Sequence, residues 1–391
     1  MGSLKLILSD LRYFSIAWVF CSLNIMIGTW VLYIPYVKDK LSLNDAQIGI
    51  ALFCLALGIL LFLPLVPYLT KKVGLGKYTL LGIVLFAVAF TGPLWAVNYT
   101  LLCASLFLVG IFSGSTDVAM NAVVSQIENE EGINMMSSAH GFFSLGGVIG
   151  GSIGTLLMVF FSKPVYHMLV MALLVILLNL WLSKHYFNTI ETRDVTEEKR
   201  RSGIHKLRPL FVIAFIAFVI MSSEGAIEHW SALYLVEVVK VSSENLAGLG
   251  FIFFSVAMTI GRFFGDGISA KIGSVKTILI GCFLGCAGYL LILYKELAVA
   301  VIGFGIVGTG LSVIIPELFR MAGKAKGISA SAAISFVSGM GFLGFLLGPI
   351  VLGFISNAFS LVKSFLTLLG LTVLALIISY VKLRYEKLNR P

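Results

Sequence analysis

The sequence predicts an all-α integral membrane protein of twelve transmembrane helices, in two pseudo-symmetric six-helix bundles with both termini cytoplasmic. Three observations predict it. The chain of 391 residues is 59% hydrophobic and 12% charged, with a mean hydropathy of +1.01, more apolar surface than one soluble core can hide. Its apolar runs are of bilayer-spanning length, about 20 residues each. And it repeats itself. Gly49, Lys72, Gly74, Lys77 and Gly82 recur 199 residues later as Gly248, Lys271, Gly273, Lys276 and Gly281, and Leu69-Thr70-Lys71-Lys72-Val73-Gly74 reads almost letter for letter as Ile268-Ser269-Ala270-Lys271-Ile272-Gly273. Many carriers are built by such a duplication, with a substrate site between the two halves.

The twelve runs fall at 13–36, 46–69, 78–97, 100–122, 138–160, 164–186, 209–236, 246–268, 275–294, 297–319, 328–356 and 360–382. Backbone groups in lipid need partners within the segment or in a closed barrel, so these runs are helices. A barrel would show alternating strands of about 10 residues, and none is visible. The first six runs make an N-terminal bundle, 1–187, and the last six a C-terminal bundle, 209–391. Between them, 188–208 reads as a solvated cytoplasmic linker carrying Glu191, Asp194, Glu197, Glu198, Lys199, Arg200 and Arg201.

Orientation follows from Lys and Arg. With both termini inside, 21 of the 28 lie on the cytoplasmic side and six outside, Arg262 being left near a helix end. The net charge of +9 is therefore topological and gives no reason to expect nucleic acid. The N-terminus reads as a short lead into the first helix, not a cleaved signal. A second cytoplasmic insert, 126–134, carries Glu128, Glu130 and Glu131. All five cysteines lie within spans, where Cys282 and Cys286 read as small buried residues and not as metal ligands. No phosphate loop, nucleophile elbow or zinc signature is visible, so no cofactor and no enzymatic activity are expected.

Ionisable groups at membrane depth are costly and mark function. Five acids lie within helices: Asp117, Glu224, Glu228, Asp266 and Glu317. Asp117 and Asn121 are i, i+4 on one face of the fourth helix, and His140 opens the fifth across a short loop. Below it, glycines from Gly141 to Gly154 suit close helix approach. The expectation is a carboxylate that takes up a proton, with Asn121 and His140 as partners; a polar triad that only fixes two helices is the alternative.

The seventh helix carries Glu224 and Glu228 at i, i+4. Two such carboxylates repel if both ionise, so one is expected to hold a proton unless a cation pairs with it. Gly225 loosens the helix between them. Trp230 either stacks on a sugar ring or anchors at the outer interface. Arg262 and Asp266, also i, i+4, read as an ion pair that latches the cytoplasmic gate near Lys271. Glu317 and Arg320 read as a local pair at the interface, and Pro316 and Pro349 as kink sites.

These residues resemble the major facilitator superfamily, and within it the bacterial rhizopine-transporter-like branch near the fucose permeases. The resemblance rests on Thr29-Trp30-Val31-Leu32-Tyr33-Ile34-Pro35, Asp117-Val118-Ala119-Met120-Asn121, Ala139 to Gly147, Glu224 to Leu235, and Gly261-Arg262-Phe263-Phe264-Gly265-Asp266. It implies proton-coupled movement of small polar solutes by alternating access in a bacterial inner membrane, by a protein expected to act as a monomer. It also implies a cavity-facing acid four residues before an asparagine, matched by Asp117 and Asn121, and a sugar-contacting polar residue at His140. Two departures stand out. Trp30 and Val31 occupy the place of a first-helix acid, and Lys71 precedes Lys72-Val73-Gly74 where the superfamily motif has Asp.

The expected proton-coupling residues are thus Asp117, Glu224 and Glu228. The expected substrate residues are Asn121, His140, Trp230, Asn24 and Trp30. The expected gate is Arg262 and Asp266 with Lys71 and Lys72, Asp117 or Asp266 pairing with the loop lysines. A sugar or polyol symporter is the first reading; a proton-antiport exporter and a transport-inactive sensor or lipid-handling protein are the others.

Overall fold

The computed structural model describes residues 3–43, 45–158, 160–161, 163–191, 207, 210–241, 246 and 249–388. Gly248 of the repeat and most of the expected linker (192–206 and 208) lie outside the described residues. The apolar runs form α1 (Leu11–Val31), α2 (Asp45–Phe62), α3 (Leu75–Ala89), α4 (Tyr99–Glu131), α5 (Met136–Met158), α6 (Pro164–Ser183), α7 (Phe211–Glu237), α8 (Leu249–Ile272), α9 (Ser274–Ile292), α10 (Leu297–Ser312), α11 (Ala330–Ala358) and α12 (Leu361–Leu388). A short helix, Ile314–Gly323, follows α10. Among the described residues, eleven helical stretches are long and apolar enough to cross a membrane. The predicted run 138–160 is occupied by α5, of 23 residues.

The chain divides into two units. One takes Ser3–Lys206 with Gly323–Gly339, the other Leu207–Ala322 with the residues from Met340 onward, so α11 contributes to both. In the first unit α1 packs on α5, α2 on α4, and α6 against α1 and α3; in the second, α8 and α9 pack on α10, and α12 on α9.

The repeat is visible in the backbone. Gly74 (φ +96°) and Gly273 (φ +85°) adopt a conformation L side chains rarely take. Gly74 N–H donates to Thr70 O at 2.9 Å, and Gly273 N–H donates to Ser269 O at 2.7 Å. Tyr78 N–H and Thr277 N–H then donate back to the two glycine carbonyls. Helix contacts repeat as well. A Cβ on Gly146 would stand 2.1 Å from Cys21 O of α1, and one on Gly344 would stand 2.2 Å from Phe218 O of α7. Only glycine admits backbones this close, which is why the runs are glycine-rich where they cross.

One expectation is corrected here. Residues 126–131 are not a loop insert: α4 continues for 33 residues to Glu131 and stops at Gly132, φ +68°. The acids there are structural. The Glu128 carboxylate, 1% exposed, accepts from Met135 N–H at 2.6 Å and Met136 N–H at 2.7 Å, satisfying donors at the start of α5. Arg12 at the start of α1 pairs with both Glu130 and Glu131, and Tyr13 donates its hydroxyl hydrogen to Glu131.

Candidate functional site

In the first unit the polar residues of α4 and α5 form one connected chain. Asn121, fully buried one turn beyond Asp117, donates its amide to Asp117 O at 2.9 Å and to Asp117 Oδ1 at 3.3 Å. That leaves Asn121 Oδ1 as an acceptor, and His140 Nε2 lies 3.0 Å from it, on the donor side of the bond. The His140 ring packs edge-on to Phe20, centroids 5.2 Å apart. Ser338 donates its hydroxyl to Asp117 Oδ2 at 3.2 Å. Asp117, half-buried, is therefore held by neutral donors. None of its partners among the described residues is a cation.

Sequence reasoning missed Ser338, because the register that sets it opposite His140 is read from contacts in the structure. The contact of Gly146 with α1 and that of Gly344 with α7 set a register of 198 residues, and in that register Ser338 is the counterpart of His140.

The other first-unit expectations fare differently. Asn24 donates its amide to Phe143 O at 2.9 Å, tying α1 to α5. Trp30, 4% exposed, packs its ring against Phe90, centroids 6.2 Å apart. His167, buried, accepts or donates at Nδ1 with the Tyr33 hydroxyl, 2.7 Å away. Lys71 and Lys72 are exposed, and neither is in an ion pair among the described residues.

In the second unit the charges are joined across helices. Asp266 pairs with Arg320 at 2.5 Å, and Arg320 also pairs with Glu317 and donates to Ser269 Oγ at 3.2 Å. Arg320 and Asp266 are 2% and 1% exposed, Glu317 none. Arg262 lies 3.9 Å from Glu224, with side chains 12% and 16% exposed. The cross-helix linkage of Asp266 is thus to Arg320, while Lys71 and Lys72 enter no ion pair among the described residues. The reason is burial. A desolvated carboxylate needs a close guanidinium, and the neighbouring helix supplies one to Asp266. The Glu317–Arg320 pair is present, but inside the unit and not at its surface.

Glu228 is exposed, and beside it His229 Nδ1 lies 2.7 Å from Gly225 O. Trp230, half-buried, donates its indole N–H to Pro349 O at 3.2 Å. Pro349 has no N–H for the carbonyl of Phe345 four residues earlier. A Cβ on Gly225 would stand 2.7 Å from that carbonyl oxygen. Gly225 is required by this close approach of α11, whatever else it does in α7.

A family model described as Major Facilitator Superfamily matches residues 16–333. The chain belongs to the major facilitator superfamily. It is 33% identical over 361 residues to an uncharacterised MFS-type transporter of Yersinia pestis, covering 89% of this chain and 90% of the relative. It is 29% identical over 367 residues to the membrane protein MosC of Rhizobium meliloti (92% and 87%). It is 28% identical over 385 residues to the fosmidomycin resistance protein of Escherichia coli (90% of each). Its fold is similar to that of the Escherichia coli fucose:proton symporter FucP, with TM-score 0.79 at 17% identity over 97% of this chain and 99% of that one. The human organic anion transporter MFSD10 is similar at TM-score 0.71 and 16% identity, over 94% and 99%. The superfamily protein is thus an all-helical, multi-pass membrane transporter of small molecules.

Proposed function

We propose that this superfamily member is a secondary active transporter that moves a small polar solute, a sugar or polyol derivative, by alternating access and couples that movement to protons. Asp117 carries the reading. Glu224, Asp266 and Glu317 each face a guanidinium, Glu228 is exposed, and Asp117 alone of the five is half-buried with neutral partners among the described residues. A carboxylate held by hydroxyl and amide groups changes the local charge by one when it takes up a proton, and none of its partners among the described residues is a cation that compensates. Asn121 and His140 extend that change to groups able to hydrogen-bond a solute hydroxyl.

Glu224 and Glu228 are secondary proton sites in this reading, the first releasing Arg262 when protonated. The gate consists of Asp266 and Arg262 with Arg320 added, and Trp230 is the aromatic contact. Twelve spans with cytoplasmic termini, in a bacterial inner membrane and with a monomer as the working unit, complete the proposal. It is supported by the Lys and Arg distribution.

A second reading, proton-antiport export of metabolites or amphiphilic drugs, is favoured by the likeness to the fosmidomycin resistance protein. Thermal unfolding of the purified protein in mildly acidic and mildly alkaline buffer, against sugars, polyols, amino-sugars and cationic drugs, separates the two, because ligands of the native state raise its apparent stability. A pH-dependent sugar or polyol hit lost in Asp117→Asn is the expected result. Stabilisation by amphiphilic cations alone would favour export.

A further inference from the structure

We infer that the second unit holds a phospholipid with an anionic headgroup in a membrane-facing groove between α8, α9 and α10, its acyl chain in the groove and its headgroup on Lys271 and Lys276. The groove has a volume of about 330 Å³, and its lining includes Gly261, Phe264 and Ile268 of α8, Thr277 and Ile280 of α9, and Thr309 of α10. Phe264, Ile268 and Ile280 are 67%, 47% and 48% exposed, so it opens to the lipid side. Its surface is almost wholly apolar, and the hydroxyls of Thr277, Thr309 and Ser312 spend their hydrogens on carbonyls of their own chain nearby. A hydrocarbon chain fits that surface and a polar solute does not.

Length and charge identify the chain's owner. The α8 lining runs from Ala257 to Ile268, about 16 Å at a helical rise of 1.5 Å per residue, which is close to half the roughly 30 Å hydrocarbon core, one leaflet deep. The Ile268 end leads within one turn to Lys271, and the Thr277 end is next to Lys276. Both lysines are exposed, and neither is paired with a carboxylate among the described residues. The repeat shows why the groove belongs to the second unit. Gly261 stands where the first copy has Phe62, and Thr277 where it has Tyr78, so two aromatic rings are missing. In the first copy, Lys77, the counterpart of Lys276, is taken up by the protein itself, 5.5 Å over the Phe187 ring.

The test is lipid titration of the detergent-purified full-length protein, read by native mass spectrometry and thermal unfolding. Phosphatidylglycerol is expected to bind roughly tenfold tighter than phosphatidylethanolamine, in line with the attraction of two basic side chains for an anionic headgroup. Lys271→Gln/Lys276→Gln should remove the preference, Thr277→Tyr should remove the tightly bound lipid while keeping both lysines, and Lys72→Gln should change neither. Should Thr277→Tyr fail to fold, the lysine pair decides the matter alone. Equal binding of the two lipids, or a preference that survives Lys271→Gln/Lys276→Gln, overturns the inference. Filling of the groove by detergent with no headgroup preference overturns it as well.

Discussion

Asn121 and Arg320 occupy the same position of the repeat, 199 residues apart, and each holds a carboxylate of its own helix. Asn121 does so as a neutral amide bonded to Asp117, and Arg320 as a buried cation bonded to Glu317 and Asp266. The two copies have thus diverged at one site, one unit keeping an acid with neutral partners among the described residues, the other a buried ion cluster. Asp117→Asn is expected to lower proton-driven accumulation in proteoliposomes by at least about tenfold, the effect of some 1.4 kcal/mol, while solute exchange across equal pH continues. Unchanged uphill transport would remove Asp117 from the coupling role.

Replacing Arg320 tests the other copy. Arg320→Met leaves Asp266 and Glu317 buried without their cation, and losing one partner of a buried ion cluster costs about 3–5 kcal/mol. Thermal unfolding should fall far more for this variant than for Arg262→Met, whose ion pair is longer and more exposed. Equal losses would mean that Arg320 is not the centre of the cluster.

Glu128 predicts a smaller, separable effect. Glu128→Ala leaves the N–H groups of Met135 and Met136 without their acceptor, a loss of about 1–3 kcal/mol, whereas Glu128→Gln keeps an acceptor oxygen and recovers part of it. Unfolding temperatures of the two variants check the order. Identical values would show that α5 finds another cap.

The glycine contacts predict a matched pair. Gly146→Ala and Gly344→Ala each drive a methyl group into a carbonyl oxygen of the facing helix, so both should lower the yield of folded protein to a similar degree. Gly267→Ala, where nothing lies within 4 Å, should be neutral or slightly stabilising, because alanine is the better helix former. Yield of monodisperse protein in detergent measures all three.

Much of the fold was legible because the signals are local. Span length and the glycine turns at Gly74 and Gly273 depend on a residue and its near neighbours, and the repeat register fixed both copies together. Pairing across helices was not legible. Arg320 looked like an interface residue because only the way α8 meets the helix after α10 brings Asp266 to it. The acids after Gln126 looked like a loop because Glu128, Glu130 and Glu131 are polar, yet their partners, the start of α5 and Arg12, are what keep α4 helical there. The contact of Trp30 with Phe90 joins residues far apart in sequence and was likewise not legible. Asp117, Asn121 and His140 were legible as a group, since i, i+4 spacing and one short loop bring them together, whereas Ser338 lies one residue off the 199-residue register of the sequence.

Infrared difference titration of the purified protein tests the central claim most directly, because it observes the carboxyl proton itself and needs no knowledge of the solute. Wild type should show a protonated-carboxyl band that disappears as the buffer goes from mildly acidic to mildly alkaline, and Asp117→Asn should lack it. A band that persists unchanged in Asp117→Asn, and is lost instead in Glu224→Gln, would contradict the account and move the proton site to α7.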